Sequence, residues 1–364
     1  MPLREEAVAH ATASAPAQTA KPANRVSLRD IARKVGVTPV SVSLAMRNSS
    51  RISAGVRQKI QKTAQEMGYR PDPMLSALAH YRRATVKTHV CAELAWINCW
   101  TDPKKLRAHK EFDLYWSGAF DEAEKCGYRL EELIFNHNNL STTRLQEILE
   151  ARNIQGILLP PLPPGAPQPN WQGFEWDKFC SVRFGYSLRN LRLHIVSSDQ
   201  LANGIMACEN IRRLGYPRIG LVTGVTSNVR FAAGYLQHQM RYDSISQLLP
   251  LKLREASRDA DRQTLAAWIK KYKPDAIFTD CAQLPNMLKE LGVRLPSDIG
   301  VATTSTLDGN VDAGIHQNSD EIGRAAIQLV ISLIHHGEFG VPRICREVLV
   351  EGSWVDGGSL PAKK

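Results

Sequence analysis

The sequence has little of what marks an enzyme, a membrane protein or a disulfide-stabilised domain. Aromatic residues make up only 7% of its 364 residues, and its seven cysteines are scattered without a C-x-x-C pair. That cysteine pattern implies neither a disulfide framework nor a zinc site. No apolar run approaches the roughly 18–20 residues that cross a bilayer, and the polar N-terminus lacks the apolar core of a signal peptide. We therefore expect a cytoplasmic protein with no membrane partner.

Catalytic motifs are absent as well. The chain contains no G-x-S-x-G, H-E-x-x-H, P-loop or G-x-G-x-x-G pattern. These absences predict that the protein is not an enzyme and that it has no catalytic residues, no metal site and no cofactor.

The positive charge is concentrated in one short segment. The formal net charge is +10, from 46 lysines and arginines against 36 aspartates and glutamates. Residues 21–87 hold 14 of the basic residues and three of the acids, whereas residues 88–364 balance at 31 of each. A small basic unit attached to a neutral body is typical of a polyanion-binding head.

The basic segment has the pattern of a helix-turn-helix. Ser27 precedes an apolar stripe at i, i+3, i+4, i+7 spacing, which predicts a helix with a serine cap. Gly36 then provides a stop, and Thr38 with Pro39 begins a second helix. Ser53 caps a third helix that braces the first two.

The amino-acid sequence of residues 27–79 strongly resembles the DNA-binding head of the lactose/galactose-repressor (LacI/GalR) family. It reads SLRDIARKVGVTPVSVSLAMRNSSRISAGVRQKIQKTAQEMGYRPDPMLSALA. The resemblance implies a homodimer that reads a palindromic operator in double-stranded DNA. Carried over position by position, it assigns DNA contacts to Ser27, Thr38, Pro39, Val40, Ser41, Ser43, Leu44, Arg51, Ser53, Arg57, Tyr69 and Leu78.

The reading face of the second helix departs from the family pattern. The family commonly has an arginine where Leu44 stands and polar residues at Pro39 and Val40. An apolar face presses on thymine methyls but does not make the bidentate arginine–guanine pair, so we expect weak base discrimination at the centre of each half-site. Arg51 is the candidate for a remaining polar contact; the alternative is that Arg51 and Arg57 are solvated charges.

Asp72 and Pro73 predict the start of a short hinge helix that runs to about Arg82. In the family, such a hinge pairs with its dimer mate and inserts a leucine into the minor groove. Leu78 falls at the matching position, and the alternative is that it docks on the larger domain.

From Val90 onward, short apolar runs alternate with amphipathic stretches, which predicts two doubly wound α/β lobes. The predicted strands are Val90–Asn98, Tyr128–Phe135, Gly156–Pro160, Ser181–Phe184, Ile195–Ser198, Arg218–Thr223, Asp275–Thr279 and Ile299–Thr303. The predicted helices are Tyr115–Lys125, Thr142–Arg152, Leu201–Leu214, Arg262–Tyr272 and Leu284–Leu291.

The body is similar, more loosely, to the periplasmic-binding-protein-like effector domain of the same repressors, through segments such as IQGILLP, KPDAIFTD and QNSDEIGRAA. That resemblance implies three crossings between lobes and a small-molecule effector, a sugar or sugar derivative, in the cleft. Strand ends supply the candidates for effector contacts. They are Trp100, Phe112, Tyr115, Asp199, Arg230, Asp280 and Gln317.

Each of these candidates has a plainer alternative. Trp100 and Tyr115 fit equally as core aromatics, Asp199 as a helix cap and Arg230 as a surface charge. Two features depart from the family: Thr304-Ser305 stands where an aspartate usually binds sugar hydroxyls, and the spacing from Arg230 to Gly234 is one residue off the usual pattern. Residues 160–169, with six prolines, form an atypical stiff loop that we expect at the mouth of the cleft.

The predicted organisation has five parts: a disordered tail (1–24), a helix-turn-helix domain (25–70), a hinge (71–88), a two-lobed effector-binding and dimerisation domain (89–356) and a C-terminal tail (357–364). The predicted function is that of a homodimeric repressor, bacterial, cytoplasmic and nucleoid-associated when bound to DNA. The alternatives are a non-specific architectural DNA-binding protein and a sugar-binding enzyme fused to a DNA-binding head.

Replacing Leu78 with serine is expected to lower operator affinity while leaving dimerisation intact, because a polar side chain cannot wedge between base pairs. DNA titration and sedimentation of the two proteins measure these effects separately. Unchanged operator affinity would refute the wedge.

Overall fold

The computed structural model describes residues 26–46, 51–69, 92–136, 140–163, 165–224, 229–241, 248–254 and 258–363. These residues belong to two compact units, a helical head before residue 75 and an α/β body after it. The predicted N-terminal tail (1–24) and the predicted hinge (71–88) lie outside the described residues.

The head consists of helices α1 (Leu28–Val35), α2 (Pro39–Met46) and α3 (Ala54–Glu66). Ser27 and Asp30 cap α1 reciprocally: the Ser27 N–H donates to Asp30 Oδ2 at 2.9 Å, and the Asp30 N–H donates to Ser27 Oγ at 3.4 Å. Gly36 ends α1 with a left-handed φ of 79°, which suits a residue without Cβ. Thr38 Oγ1 accepts the Ser41 N–H at 3.1 Å and so caps α2. The predicted starts and stop of the first two helices are confirmed.

Three-helix packing in the head depends on a small apolar core. Ile31, Val42, Ala45 and Ile60 are fully buried. Gln61 Nε2 on α3 donates to the Ala45 carbonyl of α2 at 2.9 Å, which ties the bracing helix to the second helix. This is the arrangement of a helix-turn-helix.

The body alternates strands and helices along the chain. Its strands are β1 (Ala92–Asn98), β2 (Tyr128–Ile134), β3 (Gly156–Leu159), β4 (Cys180–Phe184), β5 (His194–Ser198), β6 (Ile219–Thr223), β7 (Leu251–Lys252), β8 (Ala276–Thr279), β9 (Gly300–Thr303), β10 (Gly314–His316), β11 (Glu347–Val350) and β12 (Ser353–Val355). Its helices are α4 (Pro103–Ala108), α5 (Lys110–Lys125), α6 (Thr142–Ala151), α7 (Gln200–Arg213), α8 (Val229–Gln239), α9 (Arg258–Tyr272), α10 (Leu284–Glu290) and α11 (Ser319–His336).

The first lobe is built on a parallel sheet that, within the described residues, has strand order β11-β5-β4-β3-β1-β2. Helices α5 and α11 cover one face. Helix α6 covers the other face together with an aromatic cluster of Phe135, Trp171, Phe174, Trp176 and Phe179. Strand β3 is buried at every position, as expected of a parallel strand covered on both faces.

The second lobe repeats this plan. Its sheet, again counted over the described residues, has the order β12-β10-β9-β8-β6-β7, and β12 alone runs antiparallel to its neighbour. Helices α7 and α8 pack on one face, and α9 and α10 on the other. The predicted fold class, a helix-turn-helix head on two doubly wound lobes, is confirmed.

The chain crosses between the lobes three times: from β5 to α7, from β10 to α11, and from β11 to β12. Hydrogen bonds join the crossings to one another. The Asp199 N–H donates to the Val350 carbonyl at 2.8 Å. Asn318 Nδ2 donates to the Glu351 carbonyl at 2.8 Å, and the Gly352 N–H donates to Asn203 Oδ1 at 2.9 Å. The three crossings therefore form one bonded strip rather than three separate links.

Helices α5 and α11 approach closely because each has a glycine at the contact. A Cβ added to Gly118 would overlap the Asp320 carbonyl, and one added to Gly323 would overlap the Tyr115 carbonyl. Since α11 directly follows the second crossing, this contact fixes the position of the crossing on the first lobe.

The structure differs from the predicted elements in three ways. Helix α5 begins at Lys110, five residues before the predicted start, and the structure adds α4, α8, α11, β7 and β10–β12. Residues 357–363, predicted as a tail, belong to the second lobe: Leu360 is 1% exposed and Ser359 Oγ donates to the Val301 carbonyl at 2.9 Å. The Leu360 side chain packs against Gly300 of β9 and holds that segment in place.

We expect Gly323→Ala to destabilise the body by about 1–3 kcal/mol, because the new methyl group must push α5 and α11 apart. Urea unfolding followed by tryptophan fluorescence measures the change. The control is His336→Ala in the exposed last turn of the same helix, because His336 bonds the Ser332 carbonyl within α11 rather than α5; this variant should stay within about 0.5 kcal/mol of wild type. Equal unfolding midpoints for Gly323→Ala and wild type would show that the close approach is not needed.

Candidate DNA-binding and effector sites

The outer face of α2 is the candidate DNA-reading surface. Val40 is 67% exposed and Pro39 is also exposed, while Val42 and Ala45 on the opposite face are buried. Leu44 is half-buried, so only part of its side chain is available to a base edge. The structure thus places an apolar surface where the helix would meet a groove.

Hydroxyl groups surround the start of α2. Thr38 Oγ1 and Ser41 Oγ lie 2.9 Å apart, and Ser43 is half-buried. A capped helix N-terminus with hydroxyls is suited to a phosphate oxygen. Ser53, at the start of α3, is exposed and makes no side-chain cap bond.

The remaining predicted contacts differ in how far their side chains are exposed. Ser27 is used in the α1 cap, where its hydrogen bonds lower the pKa of Asp30. Tyr69 packs against the head core, Arg51 is exposed and Arg57 is half-buried. Leu78 lies outside the described residues.

Basic side chains dominate the described head, with seven lysines and arginines against two acids. Most of the seven are exposed, namely Arg29, Arg33, Lys34, Arg51, Lys59 and Lys62. Asp30, one of the two acids, lies 3.7 Å from Arg33. The head therefore has a positive surface of the kind that binds phosphates with strong salt dependence.

The first-lobe effector candidates form a row of aromatic rings. Tyr115 is 8% exposed and stacks on Phe184 with ring centroids 5.3 Å apart, so it is a core residue. Trp100 is 5% exposed, and its indole N–H donates to the Pro161 carbonyl at 2.8 Å. Phe112, half-buried, lies between them. Trp100 thus anchors the proline-rich loop, and Phe112 retains some exposed ring surface.

The three polar candidates hold loops at strand ends. Asp199 Oδ1 accepts the Ala202 N–H at 3.0 Å and caps α7. Asp280 Oδ1 accepts the Gly224 N–H at 2.7 Å, which joins the ends of β8 and β6. Gln317 Nε2 donates to the Thr304 carbonyl at 3.0 Å, at the second crossing. Each candidate is half-buried at the carboxyl edge of a sheet, where ligands of such folds bind.

Arg230 connects the two lobes. Its guanidinium carbon lies 3.1 Å from the ring centroid of Tyr186, in the loop after β4 of the first lobe. The Tyr186 hydroxyl donates to Glu347 Oε2 at 3.0 Å. Burial, and then the bond to Glu347, raise the pKa of Tyr186. Arg230 is therefore part of an interlobe contact rather than an isolated surface charge.

A second interlobe contact involves residues outside the predicted set. Glu111, in the first turn of α5, is 5% exposed and accepts hydrogen bonds from the hydroxyls of Ser305 and Ser319. Asp308 of the second lobe accepts the Lys110 and Glu111 N–H groups at 2.9 and 3.2 Å. Burial is the main cause that raises the pKa of Glu111. The sequence prediction missed Glu111 because it began this helix at Tyr115. A predicted start at Lys110 would have placed Glu111 in the first helical turn, where carboxylates are favoured.

The two interlobe contacts define the cleft. Both join segments that follow the carboxyl ends of strands: α5 and the loop after β4 in the first lobe, and α8 and the loop after β9 in the second. The described residues contain no group of three or more side chains suited to a metal ion. None of the described helices is long and apolar enough to cross a membrane.

Comparison with known proteins agrees with both units. The family model described as bacterial regulatory proteins, lacI family, matches residues 27–72. A periplasmic binding protein-like domain matches residues 208–360. The HTH-type transcriptional regulator KdgR of Bacillus subtilis is 21% identical over 341 residues, covering 89% of this chain and 95% of KdgR. GntR of Pseudomonas aeruginosa is 36% identical over 55 residues, or 15% of this chain and 16% of GntR.

Two solved structures share the fold. A complex of the transcriptional regulator CelR with cellobiose has a TM-score of 0.54 at 18% identity, covering 92% of this chain and 100% of CelR. A lac repressor dimer bound to operator and the anti-inducer ONPF has a TM-score of 0.51 at 16% identity, covering 93% and 100%. At such low identity these likenesses support the fold alone.

A basic helix-turn-helix head joined to a two-lobed periplasmic-binding-protein-like body defines a DNA-binding transcription regulator. Members of this class regulate transcription and are not enzymes. In this chain the head, residues 27–72, is of the lacI family of bacterial regulatory proteins, and residues 208–360 form a periplasmic binding protein-like domain.

We expect Val40→Ala to weaken specific DNA binding about five-fold, since it removes roughly 1 kcal/mol of apolar contact from an exposed side chain. Fluorescence anisotropy against a selected site measures the loss, and in-vitro selection should show no strict guanine at the half-site centre. The head should remain folded, because Val40 contributes little to its core. A strict central guanine, or unchanged affinity, would contradict an apolar reading face.

Proposed function

We propose that the protein is a homodimeric repressor that binds a palindromic operator, with an affinity that changes when a carbohydrate occupies the interlobe cleft. One observation carries the proposal: in the body, the Glu111–Ser305 and Arg230–Tyr186 contacts bring the strand ends of one lobe against those of the other. A ligand placed there would touch both lobes and so bias their relative position.

The head supports the DNA half of the proposal. One α2 helix covers only a half-site, and two heads related by a twofold axis read a palindrome. In this proposal the basic surface binds phosphates, Val40 and Leu44 meet bases, and Leu78 of the hinge enters the minor groove. Because an operator is chromosomal, the protein would act in the bacterial cytoplasm, bound to the nucleoid.

The body supports the effector half. CelR was solved with cellobiose, and the lac repressor dimer with an operator and an anti-inducer. By analogy we assign a sugar or sugar derivative to this cleft, with Phe112 offering a ring face and Arg230, Asp280 and Gln317 offering polar groups. Asp199 acts through the cap of α7 at the first crossing.

Coupling between cleft and operator needs two states with different effector affinities. The bonded strip of three crossings suits this task, because a change in lobe angle must move all three together. In this proposal the segment 71–88 would pass that change to the head.

The test combines a ligand screen with a footprint. The full chain is screened by thermal shift against neutral monosaccharides, disaccharides and their phosphates, and at least one should raise the melting temperature in a concentration-dependent way. DNase footprinting on genomic fragments should then show protection confined to palindromes, altered by that sugar. Uniform coating of DNA would refute the repressor, and the absence of any stabilising sugar would refute the carbohydrate effector.

A further inference from the structure

Glu111 is a buried carboxylate that forms no ion pair with a lysine or arginine among the described residues. It is 5% exposed. Buried charges are normally paired, because the cost of removing a carboxylate from water is several kcal/mol. A site that keeps such a group unpaired is a candidate for function.

The partners of Glu111 are two hydroxyl groups from different parts of the body. Ser305 reaches it from the loop after β9 in the second lobe, and Ser319 from the first turn of α11. An ionised carboxylate offers about four acceptor positions, of which the serines use two. The Glu111 carboxylate therefore already accepts hydrogen bonds from hydroxyl groups and has further acceptor positions for other hydroxyl groups.

The surroundings exclude anionic groups from this end of the cleft. Asp308 lies beside Glu111 and accepts the N–H groups of Lys110 and Glu111 itself. Two adjacent carboxylates repel a carboxylate or phosphate. The half-buried ring of Phe112 is next along the helix, and Gln317 is bonded to Thr304, the residue before Ser305. Glu111 thus lies among the predicted effector residues of both lobes.

We propose that Glu111 is an effector-recognition residue whose carboxylate accepts hydrogen bonds from hydroxyl groups of a sugar at an uncharged end of that sugar. This rests on the proposed carbohydrate effector. In the effector-free protein the Ser305 hydroxyl occupies one of these acceptor positions, and a sugar hydroxyl displaces it. When the sugar hydroxyl replaces Ser305, the direct hydrogen bond between the lobes is lost and the lobes are connected through the bound sugar instead. Sugar recognition and the relative position of the lobes therefore change together.

A ligand-free experiment separates recognition from a purely structural role. Glu111→Gln removes the buried charge, yet the amide can still bond both serine hydroxyls. A residue retained for binding at a cost in stability should give a variant that melts above wild type at pH 8. A Glu111→Gln chain that melts below wild type at pH 8 would overturn the proposal, because the carboxylate would then serve to stabilise the contact between the lobes.

The melting-temperature difference between Glu111→Gln and wild type should also depend on pH. Because burial raises the pKa of Glu111, the folded state binds its proton more tightly than the unfolded state, and stability is lost as pH rises through the folded-state pKa. The difference in melting temperature between Glu111→Gln and wild type should therefore shrink from pH 8 to pH 5. Asp308, His316 and Tyr115 face the same carboxylate and are present in both proteins. A constant difference would contradict a charged Glu111.

A binding experiment tests the ligand directly. Isothermal titration with the neutral sugar that stabilises wild type most should show at least ten-fold weaker binding to Glu111→Gln. The matched control is Glu132→Gln, which changes a glutamate of the same lobe that bonds Asn98 instead of the second lobe. Ser305→Ala, which frees an acceptor position, should bind at least as tightly as wild type.

The outcomes distinguish the two proposals. Equal affinity of wild type and Glu111→Gln for a stabilising sugar would refute the role of Glu111 and leave the carbohydrate effector standing. If no sugar stabilises wild type, the carbohydrate proposal fails, and recognition of a sugar by Glu111 fails with it.

Discussion

Three chain crossings, bonded to one another, are the constraint on which the body depends. Asp199, Asn318 and Gly352 each contribute a hydrogen bond within the strip that joins the lobes. Because the chain passes between two parallel sheets at their carboxyl ends, those ends must face a common cleft. A single linker would leave the two lobes free to rotate independently, whereas three bonded crossings restrict them to a shared hinge motion. Two of the candidate effector residues, Asp199 and Gln317, lie directly at these crossings.

The close contact of α5 with α11 extends the constraint into the first lobe. Gly118 and Gly323 allow the two backbones to touch, which places the start of α5 beside the second crossing. Glu111 is carried by the first turn of α5, and its partners Ser305 and Ser319 flank that crossing. The α5–α11 contact, the second crossing and the buried Glu111 carboxylate are thus physically connected. A ligand that alters any of them has a physical route to the others.

Charge has different roles in the head and in the body. In the head, exposed lysines and arginines act collectively, so their contribution is affinity for phosphate and sensitivity to salt rather than choice of sequence. In the body, single charges matter because they are buried or shared between lobes, as Glu111 and Arg230 are. The same residue types therefore serve non-specific attraction in one unit and specific positioning in the other.

Local pattern was sufficient to predict the head, because its helix starts and stops depend on neighbouring residues. Ser27, Gly36 and Thr38 act through bonds to backbone groups no more than four residues away, and the spacing of the core residues follows the helix period. The alternation of strands and helices likewise predicted two doubly wound lobes. Strands β10 and β12 have only three residues each, too few to show a pattern. Strand β11 has exposed and half-buried residues in alternation and lacks the buried positions of the predicted strands.

What the sequence by itself determined is therefore the class of each unit: a basic helix-turn-helix and a two-lobed α/β body with its strand ends as candidate sites. Only the tertiary structure decided which side chains at those ends face a partner across the cleft. Tyr115 and Phe112 lie three residues apart, yet one is packed on Phe184 in the core and the other keeps exposed ring surface. Ser305 and Glu111 are 194 residues apart and meet directly. Contacts of that separation depend on helix packing and chain crossings, which local spacing does not encode.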